Sequence, residues 1–150
     1  MATWSGIKNK LENEYLAECL RGHIQYFATT YRESHDQEGR AAIRYDGKEI
    51  VSGSWFSKDE QQDENPFIVD NFKLSKGAFD QRDFYLAFHQ YDNQSIEKSL
   101  QSEDLIVRIF AILDKRVGKR RLIAMRSEVS TAPEAFQLLY SIRSKAEGIS

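Results

Sequence analysis

The stretch RAAIRYDGKEIVSGSWF, residues 40–56, decides the fold of this chain. Ala41, Ile43 and Tyr45 occupy alternate positions before Asp46-Gly47, and an alternating pattern resumes after the pair. An Asp-Gly pair between two alternating runs is the strongest short-range signature of a β-hairpin with a two-residue turn. The stretch therefore predicts antiparallel strands at 40–45 and 48–56.

A third strand is expected before the hairpin, at residues 23–32. This segment is rich in aromatic and β-branched residues, which are typical of strands. The polar residues 33–39 that follow end in glycine and predict a loop. Residues 57–65 are the most hydrophilic stretch and predict an exposed loop. Residues 67–69 suit a short fourth strand less clearly than the other three.

An amphipathic helix is expected over residues 3–21. Its apolar side chains recur at helical spacing, with Thr3 placed to cap the start and Gly22 placed to stop the end. The positions that define the stripe are Trp4, Ile7, Leu11 and Tyr15, widened by Leu16, Cys19 and Leu20.

The second half of the chain predicts helices near 78–91, at 95–100 and at 103–117. Gly118 would then occupy the position just after the third helix, where glycine is favoured. Residues 119–126 suit either a short helix or an edge strand. Thr131-x-x-Glu134 matches a capping box that opens a last helix running to Gly148. The expected fold is α+β: an N-terminal helix, a three-stranded antiparallel sheet and a C-terminal helical group, in one domain spanning 1–150.

Composition excludes several classes of protein. Hydrophobic residues make up 41% and charged residues 29% of the 150 residues, as in ordinary globular domains, and the 18 aromatic residues argue against disorder. Cys19 is the only cysteine, so the chain can form no internal disulfide and no multi-cysteine metal site. The three histidines, at 23, 35 and 89, are scattered, so neither a metal nor a cofactor is expected.

The apolar runs are far shorter than the roughly 20 residues that cross a bilayer. The first residues also lack the charged start and apolar stretch of a signal peptide. We therefore expect a cytoplasmic protein with no membrane partner.

Positive charge is concentrated in one place. Residues 108–126 contain seven Lys or Arg and one acid, a net charge of +6, whereas the whole chain carries −2. Three interpretations stay open for this segment. Lys115 and Arg116 could lie in the last turn of the 103–117 helix, where the helix dipole favours cations. Alternatively, the segment binds an anion, either nucleic acid or another phosphate-bearing ligand. The third interpretation is that it binds a protein partner. The candidate anion-binding residues are Arg116, Lys119, Arg120 and Arg121, joined by Arg32 and Arg40 from the sheet.

Two other functions are compatible with the sequence. Ser34, His35 and Asp36 are adjacent, but a catalytic triad needs groups that converge in space, which adjacency does not supply. The acidic loop 57–65 could bind a basic protein, as inhibitors and immunity-type proteins do. We expect a non-enzymatic binding module first, a protein-interaction module second and an enzyme third.

Three groups of residues resemble a family of small, uncharacterised bacterial proteins. The first is the opening WSxIK at 4–8, the second is TYRxSHDxxGR at 30–40, and the third is RVGKRRL at 116–122. The resemblance covers most of the chain and is weakest across 57–75. It implies one bacterial domain and carries no known activity or catalytic residue with it.

Overall fold

A three-stranded antiparallel sheet forms around the Asp46-Gly47 turn. The structure, a computed structural model, describes residues 3–29, 39–54 and 68–149. The strands are β1 (Ile24–Thr29), β2 (Arg40–Tyr45) and β3 (Lys48–Ser54), in the order β1-β2-β3. Asp46 and Gly47 both have positive φ, 50° and 84°, as a type I′ hairpin turn requires. The predicted hairpin is confirmed, and the predicted strand ends at 30–32 and 55–56 lie outside the described residues.

The register of the sheet separates a core face from an opposite face. Tyr26, Ile43 and Val51 are paired across the three strands and are buried. The two-residue turn pairs Tyr45 with Lys48 and Arg44 with Glu49, and a bulge at Ile43/Arg44 then places Val51 rather than Ile50 opposite Ile43. The turn register therefore brings Glu49 beside Arg44 on the face away from Tyr26.

The first helix is shorter than the sequence predicts. It comprises α1 (Trp4–Asn9), which Thr3 caps by accepting a hydrogen bond from the Gly6 N–H at 3.2 Å, and a π-helical continuation at Lys10–Tyr15. Predicted to reach residue 21, the helix ends at Leu16, which is extended and forms an isolated antiparallel bridge with Asp114. The bridge takes the place of the last helical turn, and a short 3-10 helix, Glu18–Leu20, follows it.

Seven helices follow the sheet in the described part of the chain. They are α2 (Asn71–Ser75), α3 (Gln81–Asp92), α4 (Ile96–Leu100), α5 (Leu105–Ile112), α6 (Lys119–Ala124), α7 (Arg126–Val129) and α8 (Glu134–Ala146). The predicted apolar face of α3 is confirmed, since Phe84, Ala87, Phe88 and Tyr91 are all buried. Residues 119–126, which suited either a helix or a strand, are helical.

Two local expectations are wrong. Ile68 and Val69 belong to no strand; the Leu105 N–H donates to the Val69 carbonyl at 2.7 Å, which ties this segment to the start of α5. Phe67 lies outside the described residues. The predicted capping box at Thr131 and Glu134 does not form, because Pro133 occupies the N-cap position and the Thr131 hydroxyl donates to Glu128 instead.

The core lies between the sheet and the helices. Seven of the eight residues of α5 are buried, and Phe110 of that helix meets Tyr26 of the sheet edge-on at 5.4 Å and Phe84 of α3 at 5.7 Å. An N-terminal helix, one antiparallel sheet and a following helical group make the fold α+β, as predicted. Among the described residues, no helix combines the length and the apolar character needed to span a membrane.

Candidate anion-binding turn

The segment that connects α5 to α6, with the first turn of α6, contains most of the predicted site. We call residues 115–121 the basic turn. Helix α5 ends at Ile112, so Lys115 and Arg116 do not lie in its last turn and the dipole of that helix does not account for them. Gly118 is the N-cap of α6, with a φ of −88°, and is not the left-handed residue that ends a helix. Lys119, Arg120 and Arg121 therefore begin a helix, the end at which its dipole disfavours cations.

The cation that stabilises the end of α5 comes from another helix. Arg143 of α8 is 1% exposed, and its guanidinium donates to the carbonyls of Ile112, at 3.0 Å, and Asp114, at 2.8 Å. It also donates to the Val117 carbonyl and pairs with Glu147 at 2.8 Å. Arg143 thus holds the backbone from which the basic turn projects.

Arg116 is held internally by Asp114. The carboxylate of Asp114 is fully buried, and both of its oxygens accept from the Arg116 side chain, at 3.0 Å from Nε and 2.8 Å from an NH2 nitrogen. The Arg116 backbone N–H donates to the same carboxylate at 2.7 Å. A bidentate pair of this kind fixes the orientation of the guanidinium as well as its charge.

Two tyrosines surround this ion pair. The Arg116 guanidinium lies 5.3 Å from the ring centre of Tyr15 and 5.8 Å from that of Tyr91, and the Tyr91 hydroxyl donates to Asp114. Burial, followed by the nearby Asp114 charge, raises the pKa of Tyr91. Burial and the hydrogen bond to Asp92 raise the pKa of Tyr15 to about 12. Both phenols therefore stay protonated, as donors, near neutral pH.

Arg121 is paired at the surface. Its guanidinium donates to Glu97 of α4 at 3.1 Å, and the Glu97 side chain is 62% exposed. A backbone hydrogen bond, the Arg121 hydrogen bond and the charges of Arg121 and Arg116 lower the pKa of Glu97. Glu97 is therefore close to two of the arginines of the basic turn.

The other three cations of the basic turn form no ion pair with a described residue. These are Lys115, Lys119 and Arg120, all of them exposed. Among the described residues, the five cations of the turn thus form ion pairs with two carboxylates, Asp114 and Glu97. This arrangement leaves an excess of positive charge on the solvent side of the turn.

A protein-family model, that of the SF0329 protein family, matches residues 3–144. The chain belongs to the SF0329 protein family. The match includes the first helix, the sheet and the basic turn of this SF0329 family member. No curated protein and no solved structure matches the chain.

Arg40, the candidate from the sheet, has its ion-pair partner in the sheet and not in the basic turn. It shares the carboxylate of Glu49 with Arg44, whose guanidinium donates to Glu49 at 3.1 Å. Both guanidinium groups also lie over the ring of Phe27, Arg44 at 4.3 Å and Arg40 at 5.5 Å. The hydrogen bond from Arg40 lowers the pKa of Glu49 against the opposing effect of burial. No described contact connects this cluster with the basic turn.

Several predicted residues are not among those that the structure describes. Arg32, the Ser34-His35-Asp36 segment and the acidic loop 57–65 lie outside the described residues.

Asp80 and Asp83, which share a helix face, form the capping box of α3, with the Asp80 N–H donating to Asp83 at 2.9 Å. No cluster suited to a metal ion occurs within residues 3–29, 39–54 and 68–149.

Three important partners were missed from the sequence, and each had a signal. Glu49 faces Arg44 once the Asp46-Gly47 turn fixes the hairpin register. Asp114 precedes Arg116 by two residues, within reach of a single turn. Arg143 falls on the same helix stripe as Phe136 and Leu139, a position typical of a buried side chain.

Proposed function

We propose that this chain binds a phosphate-bearing partner, nucleic acid ahead of a small nucleotide, through the basic turn at 115–121. We also infer a bacterial, cytoplasmic setting from the composition and the sequence motifs. The observation that carries the proposal is the excess of cations in the turn. Lys115, Lys119 and Arg120 are exposed without an acidic partner among the described residues, although the chain as a whole is acidic.

The residues of the turn divide into positioning and binding roles. Arg116 is fixed by Asp114, and Arg143 holds the backbone carbonyls on either side of it. Such internal anchoring lowers the conformational entropy lost when the neighbouring side chains bind a ligand. Lys115, Lys119 and Arg120 are the residues expected to contact phosphate, and Arg121 joins them if its weak surface pair with Glu97 opens.

The test is fluorescence polarisation of a labelled single-stranded DNA of about 20 nucleotides, titrated with the chain at about 50 and about 200 mM salt. Three phosphate contacts to a single strand predict an affinity loss of about ten- to twentyfold between these salt concentrations. Reversing two charges, Lys119→Glu with Arg120→Glu, should reduce the salt dependence by about two contacts and weaken binding at least about tenfold.

The matched control reverses two exposed lysines elsewhere, Lys48→Glu with Lys145→Glu. It changes the net charge by the same amount. Equal losses of affinity in the two double variants would show that binding depends only on the overall charge, and this result would overturn the proposal. The absence of binding at about 50 mM salt would overturn it as well. Displacement of the DNA by ATP at equal phosphate concentration would identify the small nucleotide as the ligand.

A further inference from the structure

The two edges of the sheet are treated differently. At the β1 edge, the Tyr26 N–H donates to Glu12 at 2.8 Å and the Tyr26 carbonyl accepts from Lys8 at 2.8 Å. Lys8 and Glu12 also pair with each other, so side chains of the first helix occupy this edge. Blocking an edge with charged side chains is a common way to prevent another strand from adding to it.

The β3 edge is only partly occupied. The Ser54 N–H points outward and donates to the Gly77 carbonyl at 3.1 Å. Because backbone groups alternate in direction along a strand, the N–H and carbonyl of Ser52 point the same way. Within the described part of the chain no backbone group pairs with them, and the Ser52 side chain is exposed. Ser52 therefore offers one donor and one acceptor to an added strand.

Ser52 lies in a groove of about 560 Å³. The floor is β3 from Ile50 to Ser52, one wall is α2, and the other wall is the first part of α8. Leu138 lines the α8 wall and remains 42% exposed, and Glu134 supplies a carboxylate beside it. The volume lies in the range of small-ligand and peptide pockets, and the three residues of floor correspond to about 10 Å of strand.

The geometry restricts what can occupy the groove. A second copy of the chain would bring its own α2 and α8 to the edge together with its Ser52. A single extended segment carries no flanking helices to the edge. Its backbone can pair with Ser52, while its side chains alternate toward Leu138 and toward Glu134. The charge of Glu134 favours a cationic side chain at that second position.

We propose that the groove between β3, α2 and α8 binds an extended peptide segment of a partner protein, which adds as a strand at Ser52. The segment carries an apolar side chain for Leu138 and a Lys or Arg for Glu134. This surface is separate in its residues from the basic turn, and the proposal does not depend on phosphate binding.

The probe is an acetylated peptide of about ten residues that alternates valine and lysine, titrated into the isotopically labelled full chain and followed by amide NMR shifts. Shifts should concentrate at Ile50–Ser52 and on α8 near Leu138. A second peptide has the same side chains but a methyl group on every backbone nitrogen, so neither of its edges can donate to a strand. It should bind at least about tenfold more weakly, the loss of one or two backbone hydrogen bonds.

Two protein variants assign the contacts. Ser52→Pro removes the outward N–H at a position where an edge strand tolerates proline, and it should weaken binding, whereas Ser52→Thr should not. Glu134→Gln should weaken binding of the valine-lysine peptide, and the remaining binding should no longer depend on salt concentration. The proposal is overturned if the methylated peptide binds equally well, if the shifts appear elsewhere, or if the peptide does not bind. It is also overturned if the chain dimerises through this groove.

Discussion

Arg116 forms a bidentate ion pair with Asp114, two residues before it, whose carboxylate is completely buried. The pair ties the basic turn to the protein interior, since Tyr91 of α3 also donates to Asp114. A buried carboxylate is tolerated only while its charge is compensated and its oxygens accept hydrogen bonds. The main role of Arg116 is therefore structural.

Removal of the Arg116 side chain should destabilise the fold. In Arg116→Ala, Asp114 keeps its backbone and Tyr91 donors but loses its only ion-pair partner in the described structure. We expect the free energy of unfolding to fall by roughly 2–4 kcal/mol, the lower part of the range because the Arg116 side chain is 42% exposed. Urea denaturation with an unchanged m-value measures this loss.

Arg121→Ala is the matched control for that variant, because its partner Glu97 is solvent-exposed. The exposed pair is screened by solvent, so its loss should change stability far less than the loss of Arg116. Adding Asp114→Asn to Arg116→Ala should recover part of the lost stability. Equal losses in the two arginine variants would show that Asp114 does not depend on its ion pair.

Arg143 should be more important to stability than any arginine of the basic turn. Arg143→Met keeps much of the apolar volume but leaves the carbonyls of Ile112, Asp114 and Val117 without their donor. We expect a loss of about 3–5 kcal/mol, seen as a lower midpoint in thermal or urea unfolding. Lys145→Met, an exposed position on the same helix, should change stability by less than about 0.5 kcal/mol. A small effect at Arg143 would contradict its role as the cap of α5.

The hairpin and α3 could be predicted because their signals are local. Asp46-Gly47 specifies its turn through two positive φ angles, and the face from Phe84 to Tyr91 follows the helical repeat. The ends of the first helix and of α5 could not, because each is set by the other: the Ala17 N–H donates to the Leu113 carbonyl at 2.9 Å and the Lys115 N–H to Tyr15 at 2.8 Å. A pairing between residues about 100 positions apart leaves no periodic trace in either segment.

The candidate site, too, could be predicted only in part. The concentration of positive charge identified the segment that contains the basic turn. Because the apolar stripe continues through Leu113 to Val117, the sequence predicted that the first part of this segment is helical. Val117 is indeed buried, yet it lies in a turn rather than in a helix, so Gly118 begins α6 instead of ending α5. Asp114 and Glu97 determine which of these cations have acidic partners. The pairing therefore depends on tertiary structure, which the sequence pattern does not contain.

Gly118 gives a direct test of that correction. A glycine that ends a helix in the left-handed region costs about 1 kcal/mol when replaced by a residue with a side chain. Here φ is −88° and no atom lies within 4 Å of an added Cβ. Gly118→Ser should therefore be neutral, or stabilising by up to about 1 kcal/mol, since serine caps a helix start well. Gly47→Ala, at a φ of 84°, is the control and should lose about 1 kcal/mol or more.

Asp104 should make stability depend on pH. It caps α5, and burial raises its pKa from 3.8 to about 6 against the opposing effect of hydrogen bonds from the Val69, Val107 and Ile106 N–H groups. The folded state therefore holds the proton more tightly than the unfolded chain. The resulting stabilisation is complete below pH 3.8 and is lost as the pH rises through about 6, a difference of about 3 kcal/mol.

Other carboxylates titrate in the same range, so the measurement is the difference in unfolding free energy between the natural chain and Asp104→Asn, which cannot ionise there. Relative to the variant, the natural chain should lose about 2.4 kcal/mol between pH 4 and pH 7, most of the total. Its Asp104 carboxyl resonance should titrate with a midpoint near pH 6. A difference that stays constant with pH, or a midpoint near 4, would mean that the three backbone donors outweigh burial and that Asp104 is ionised throughout this range.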